Sequence, residues 1–212
     1  MREPKTTVVI PTIPERATLL ERAVSSVIAQ SARCRIAVAE DLCDSGARAT
    51  RQNGLETVTT EWVAFLDDDD ELDPNHIEIL LDTANRYKAD FVWSRFRLRN
   101  DVKGTTTPGP YPLDVRAFEQ WDDRYPVQTT ITVLVRTDVA LRAGGFHAEI
   151  DTTERLKYGQ GAGEEFDFAL RCRRSGAVFR HAPYETWTWH HWGGNTAGLA
   201  RRYRDRNRAR RR

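Results

Sequence analysis

Residues 61–84 read EWVAFLDDDDELDPNHIEILLDTA. Trp62 to Leu66 is an unbroken apolar run of strand length, and the four aspartates Asp67 to Asp70 end it abruptly. Continuous apolar strands belong in sheets covered on both faces. After the acidic run, Asp73-Pro74 offers an N-cap and a first-turn residue for a helix carrying Ile77, Leu80, Leu81 and Ala84 on one side. A buried strand, a charged turn at its carboxyl end and an amphipathic helix make half of a β–α repeat.

The same alternation continues on both sides. Thr6 to Ile10 (TTVVI) predicts a short buried strand stopped by Pro11. Ala17 to Gln30 places Leu20, Ala23, Val24, Val27 and Ile28 on one helical face, with Pro14-Glu15 at its start. Arg35 to Glu40 predicts a strand, Ala47 to Thr59 a helix, and Asp90 to Trp93 another strand. Strand–helix alternation with short links predicts an α/β fold, with βαβ units in a parallel, doubly wound sheet flanked by helices. Ligands of such sheets bind beyond the carboxyl ends of the strands. The polar clusters Thr12 to Arg16, Glu40-Asp41 and Asp67 to Asp70 all follow predicted strands.

The second half is less regular. Residues 100–113 are turn-rich, Thr130 to Arg136 predicts a strand, and Gly144-Gly145 breaks the chain. Residues 147–163 read as an irregular segment with Gly159, Gly161 and Gly163. Glu165 to Ser175 predicts a helix and Ala177 to Arg180 a short strand, and the aromatic stretch Thr186 to Trp192 leads into Gly193-Gly194. Neither a repeat nor a linker interrupts the pattern, so one domain is expected over residues 1–200. That domain divides into a regular half, 1–99, and a less regular half, 100–200, and residues 201–212 form a basic tail.

Composition narrows the class. The chain has 212 residues, 32 basic and 31 acidic, and is 40% hydrophobic, which excludes a low-complexity, collagen-like or disulfide-scaffold protein. A run of about 18 apolar residues is absent, so no integral membrane segment is expected; with Pro11, Pro14, Glu15 and Arg16 among the first 20 residues, neither is a secretory signal. Cys34, Cys43 and Cys172 are odd in number and lack CxxC spacing, which predicts reduced thiols and a cytoplasmic protein. The near-neutral total hides a tail, RRYRDRNRARRR (201–212), with eight arginines and one aspartate. It reads either as a solvated terminus or as a surface for an anionic partner, whether phosphate-bearing ligand, acidic lipid or nucleic acid.

Several groups carry candidate chemistry. Four adjacent carboxylates repel one another, and at the rim of a sheet that repulsion is relieved by a hard cation such as Mg²⁺ or Mn²⁺. Glu164-Glu165, with Asp167, opens a helix; acids there complement the helix dipole, and one of them at a site mouth can serve as general base. Arg48 and Arg51 are surface charges or, near the strand ends, partners for a carboxylate or diphosphate. His190, His191 and the Gly193-Gly194-Asn195 loop are packing and turn residues, or else an imidazole ligand and phosphate-facing backbone.

Taken in order, TVVIPTIPER (7–16), AED (39–41), ARATRQNGLE (47–56), EWVAFLDDDDELDPNHIE (61–78), VLVRTDVALRAGGF (133–146) and GEEFDFALRCRRSG (163–176) resemble family 2 glycosyltransferases with the GT-A fold. The resemblance implies a mixed, mainly parallel sheet and a metal-dependent transferase. Such an enzyme moves a sugar from a nucleoside-diphosphate sugar, with inversion, to a hydroxyl of a glycan, lipid, protein or small molecule. It further implies that Pro11, Thr12 and Arg16 line the nucleotide pocket and that Glu40 and Asp41 contact the base. Arg51, Asp67 and Asp68 would face the donor, and Asp67 and Asp69 match the DxD pair, with Asp69 the better ligand for Mn²⁺ or Mg²⁺. Glu165, with Glu164 beside it, takes the place of the catalytic base, and His190 or His191 falls where some members place a metal-binding histidine.

This chain departs from the pattern at Ile13 and Pro14, where the family often has tyrosine and asparagine. It departs again at Gln52 in place of asparagine, and at Glu165 in place of aspartate. Two rival classes remain: a nucleotidyltransferase-like sugar-nucleotide enzyme, although no glycine-rich lysine loop lies near Thr12, and a non-catalytic anionic-polymer-binding protein acting through its arginine tail.

Overall fold

The sheet is organised around β1 (Thr6–Thr12), which pairs in parallel with β2 (Cys34–Glu40) on one side and β3 (Trp62–Phe65) on the other. The computed structural model describes residues 3–109, 131–146 and 164–192. β1 runs two residues past the point where Pro11 was expected to stop it. The reason is local: β3 leaves the ladder at Val9↔Phe65, so beyond that register β1 has a neighbour only on the β2 side. A proline without an N–H is tolerated on such an unpaired flank.

α1 (Ala17–Ile28) and α2 (Ala47–Glu56) make the crossovers β1–α1–β2 and β2–α2–β3. α3 (His76–Tyr87) starts later than expected, because the Asp73 carboxylate is drawn to Arg97 and Asn75 occupies the cap position. The alternation predicts parallel βαβ units and the resemblance a mixed, mainly parallel sheet. The sheet is mixed: β7 (Val133–Arg136) enters antiparallel between β3 and β5 (Phe91–Asn100), and with β8 (Phe179–His191) and β4 (Glu71–Leu72) the order is β2-β1-β3-β7-β5-β8-β4. β4 is the two-residue strand Glu71–Leu72, and β6 (Thr105–Pro108) forms a hairpin with β5 inside the expected loop.

The short strand and the aromatic stretch expected near the end are one long strand, β8 (Phe179–His191), parallel to β5. Its register jumps between Ser94 and Phe96, where Pro183 and Tyr184 have no partner in β5. A bulge accommodates the proline and lets the strand continue. α4 (Thr137–Arg142) and α5 (Glu164–Arg174) complete the described elements. No helix among them is long and apolar enough to cross a membrane. Residues 147–163, Gly193 to Asn195 and the 201–212 tail lie outside the described residues.

Period-two alternation gives the sheet two apolar faces. Val9, Val63, Phe65 and Phe91 pack with Leu55, Phe146 and Phe168 on one side, while Val8, Ile10, Ala64 and Leu66 pack with Ala23, Leu80 and Trp187 on the other. Phe168 of α5 stacks on Phe146 at 4.6 Å and meets Phe65 edge-on at 5.8 Å. Because Phe65 ends β3, these rings bring the first turn of α5 to the start of the acidic run. α2 lies just as close: a Cβ on Gly54 would come within 2.4 Å of Val9 Cγ1. That approach sets Arg51, one turn earlier, over the strand ends.

Candidate functional site

Leu66 N–H donates to Val9 O, and Asp70 N–H closes a turn onto Asp67 O at 3.1 Å. The four aspartates therefore leave the sheet in a tight turn, and each carboxylate takes its own hydrogen-bond donors. Asp68 is buried and accepts from Thr12 Oγ1 and Arg16 Nη1, both at 2.7 Å. Asp67 accepts from Arg51 Nη2 at 2.6 Å. Asp69 accepts from Trp192 Nε1 at 2.9 Å, while its carbonyl accepts from Arg22 Nη2 at 2.6 Å. Asp70 accepts the backbone N–H of His190 at 3.0 Å.

Asp67, Asp69 and Asp70 each place an oxygen within 4.8 Å of the others. Burial pushes the carboxyl groups of Asp68, Asp69 and Asp70 up, and neighbouring carboxylates add to the shift; that of Asp70 rises well above the usual range. At Asp68, Arg16 and Thr12 act in the opposite direction without overcoming burial. Three converging hard oxygen donors, those of Asp69 and Asp70 buried, fit a divalent cation such as Mg²⁺ or Mn²⁺. Asp70 was not singled out from sequence, since a run of four identical residues does not say which ones converge.

Arg51 is buried, and its guanidinium joins Asp67 to Glu164, with Glu165 Oε1 at 3.7 Å. Burial alone would push its pKa down, but the three surrounding acids override it and hold the group charged. Glu164 is pushed up by burial, against the pull of Arg51. A side chain from α2 thus ties the acidic turn after β3 to the first turn of α5, across 113 residues of sequence.

The other expected residues fall on both sides of this centre. Pro11 and Thr12 end β1, and Arg16 lies in the turn that follows. Glu40 ends β2 with its side chain exposed. The Asp41 carboxylate organises the next loop, accepting the backbone N–H groups of Cys43, Ser45 and Gly46 and the Ser45 hydroxyl. Burial would raise it; these bonds outweigh burial and keep it below the usual range.

His190 is buried beside the acidic turn, with Nδ1 2.9 Å from Asp101 Oδ2 and Nε2 3.4 Å from Glu71 Oε2. His191 points the other way and is exposed. Among the described residues the converging cluster is the three aspartates, and His190 reaches it through its backbone. Sequence reasoning also missed Trp192 and Asp101. The signal for Trp192 was its place at the end of an aromatic run, but nothing showed that run to be one strand ending beside Asp69.

Residues 43–141 match the model of Glycosyl transferase family 2. Over that segment the chain is similar to this family, the one its sequence motifs resemble. The fold is shared with solved structures of S. aureus TarS 1-349. One has a TM-score of 0.64 at 14% identity, over 88% of this chain and 60% of that one. A second, in complex with UDP-GlcNAc, has a TM-score of 0.65 at 14% identity, over 92% of this chain and 60% of that one. This chain therefore spans less than two thirds of the length of those structures. No curated protein matches it.

Proposed function

We propose that this protein is an inverting glycosyltransferase that moves a sugar from a nucleoside-diphosphate sugar to an acceptor hydroxyl. The observation that carries the reading is the convergence of Asp67, Asp69 and Asp70 at the carboxyl end of β3, joined through Arg51 to the paired glutamates of α5. The UDP-GlcNAc complex of the similar fold makes a uridine nucleotide the first donor to test.

Pro11, Thr12, Arg16, Glu40, Asp41, Arg51, Asp67 and Asp68 form the donor side, within a nucleotide half spanning residues 1–99; residues 100–200 supply the acceptor side. Asp67, Asp69 and Asp70, with His190 behind them, would hold Mn²⁺ or Mg²⁺, which when bound offsets the charge on the diphosphate. Arg51 holds Asp67 and Glu164 in place. The acceptor oxygen attacks the anomeric carbon from the face opposite the diphosphate. Its proton passes to the Glu165 carboxylate, and the nucleoside diphosphate leaves with the bonding pair. A single displacement of this kind inverts the configuration. The arginines of residues 201–212 serve an anionic partner.

Calorimetric titration with UDP, with and without Mn²⁺, tests the reading. Binding is expected to need the cation and to fall at least about tenfold in Asp69→Asn, the order lost with a ligand or its support. UDP binding of equal strength in chelator, or an Asp69→Asn protein that binds like wild type, removes the metal-dependent reading.

A further inference from the structure

β5 and β8 run side by side with Arg97 opposite Thr188 and Arg99 opposite His190. Alternation sends Phe96, Trp187 and Trp189 to the core face and Arg97, Arg99 and His190 to the other. On that second face, Glu71 of β4, Asp101 and Arg22 of α1 help enclose a basin of about 470 Å³ whose lining has no apolar side chain. The basin adjoins the candidate site through two shared residues. Arg22 donates to the Asp69 carbonyl, and His190 donates its backbone N–H to Asp70.

Its three guanidinium groups are only partly used. Arg97 spends Nη2 on Asp73 and Thr188. Arg99 spends Nε on Asp101 and Nη1 on Thr106. Arg22 spends Nη2 on a neutral carbonyl, makes no ion pair among the described residues, and leaves its buried Nε without a partner. Each arginine therefore keeps a terminal nitrogen available. Forked guanidinium donors match the oxygens of phosphate and carboxylate, and three of them around one cavity can hold an anion that a neutral hydroxyl compound cannot replace.

We propose that this basin binds the anionic group of the acceptor, a phosphate ester or a carboxylate carried near the hydroxyl that is glycosylated. The inference rests on the transferase reading and names the substrate class of its second site. The probes are glucose 6-phosphate, glucuronate and glucose, titrated calorimetrically into the full chain with Mg²⁺ and saturating UDP. The wild type is compared with Arg99→Gln, whose side chain is 43% exposed and can change without disturbing the core.

At least one charged sugar is expected to bind while glucose does not, and Arg99→Gln is expected to weaken it by about tenfold or more, the worth of a charge-assisted bond. UDP affinity should stay unchanged in the variant. Tighter binding of glucose 6-phosphate assigns a phosphate ester, and tighter binding of glucuronate a carboxylate. Glucose binding as well as the charged sugars, an unaffected Arg99→Gln protein, or displacement of the charged sugar by UDP overturns the proposal. UDP that binds while neither charged sugar does overturns it and spares the transferase reading. Charged sugars that bind a chain lacking UDP affinity, and weaken in Arg99→Gln, support the basin and remove the transferase reading instead.

Discussion

Arg51 decides how the two glutamates of α5 divide their work. It holds Glu164 directly and stands 3.7 Å from Glu165, whose side chain is also the more exposed, at 30% against 21%. Successive helical residues point about 100° apart, so one glutamate can face inward to the arginine while the other faces the space before the aspartates. Under the proposed reaction Glu165→Gln should lower turnover by about 10²–10⁴, the usual worth of a general base, and leave UDP affinity nearly intact. Glu164→Gln should be much milder in turnover, since Arg51 keeps Asp67. Steady-state kinetics with UDP titrations separate the two; an inactive Glu164→Gln beside a normal Glu165→Gln reverses the assignment. The same reasoning explains Gln52. Its Oε1 accepts the buried Phe146 N–H at 2.6 Å, and a Cβ on Gly145 would come within 2.2 Å of that oxygen. The longer amide reaches the loop that positions Phe146, a contact between residues 94 apart that no local pattern announces.

α2 and α3 show what could be read in advance and what could not. The parallel half was legible because each strand and helix there has its own apolar period: β2, α2 and β3 begin within a residue of the expected places. β4, β6 and the full length of β8 were not, because they are set by partners: Glu71↔Thr188, Leu98↔Thr107 and a bulge around Pro183. The acidic turn and the paired glutamates could likewise be picked out by residue type, whereas their junction through Arg51 needs the packing of α2 on β1. Gly54 makes that packing possible. Gly54→Ala should destabilise by about 1–3 kcal/mol through overpacking, outweighing a helix-propensity gain of about 1 kcal/mol, and urea unfolding would record it; a variant as stable as wild type would show that α2 does not need so close an approach.

α3 adds a pH signature. His76, its first residue, is fully buried against Thr186 at 2.7 Å, and burial pushes its pKa down to about 3. The unfolded chain takes up a proton near pH 6.5 and the folded one does not. Stability contributed by the neutral ring is thus complete above about pH 6.5 and declines as pH falls toward 3, by about 2 kcal/mol at pH 5. His76→Asn should flatten the slope of urea midpoint against pH between 6.5 and 5; an unchanged slope would place the acid sensitivity elsewhere.

Charge is divided unevenly along the chain. Residues 1–200 carry 24 basic and 30 acidic side chains, a net of −6, and residues 201–212 carry a net of +7. Part of the acidity is concentrated where a cation would reduce it, at Asp67, Asp69 and Asp70. The tail has no comparable cluster of acids within its own sequence, with Asp205 alone against eight arginines. Near an anionic lipid surface each arginine is worth about 1 kcal/mol, and the attraction fades over about 10 Å at 0.1 M salt. A chain truncated after Leu199 should therefore lose sedimentation with vesicles containing anionic phospholipid, while its metal-dependent UDP affinity stays as it was. In the full chain, binding to those vesicles should weaken steeply as salt rises, and vesicles of purely zwitterionic lipid should capture neither form. If both chains sediment alike at low salt, the arginines do not serve a membrane surface. If truncation instead lowers UDP affinity, the tail acts on the donor side and the division between a self-contained site and an outlying basic segment fails.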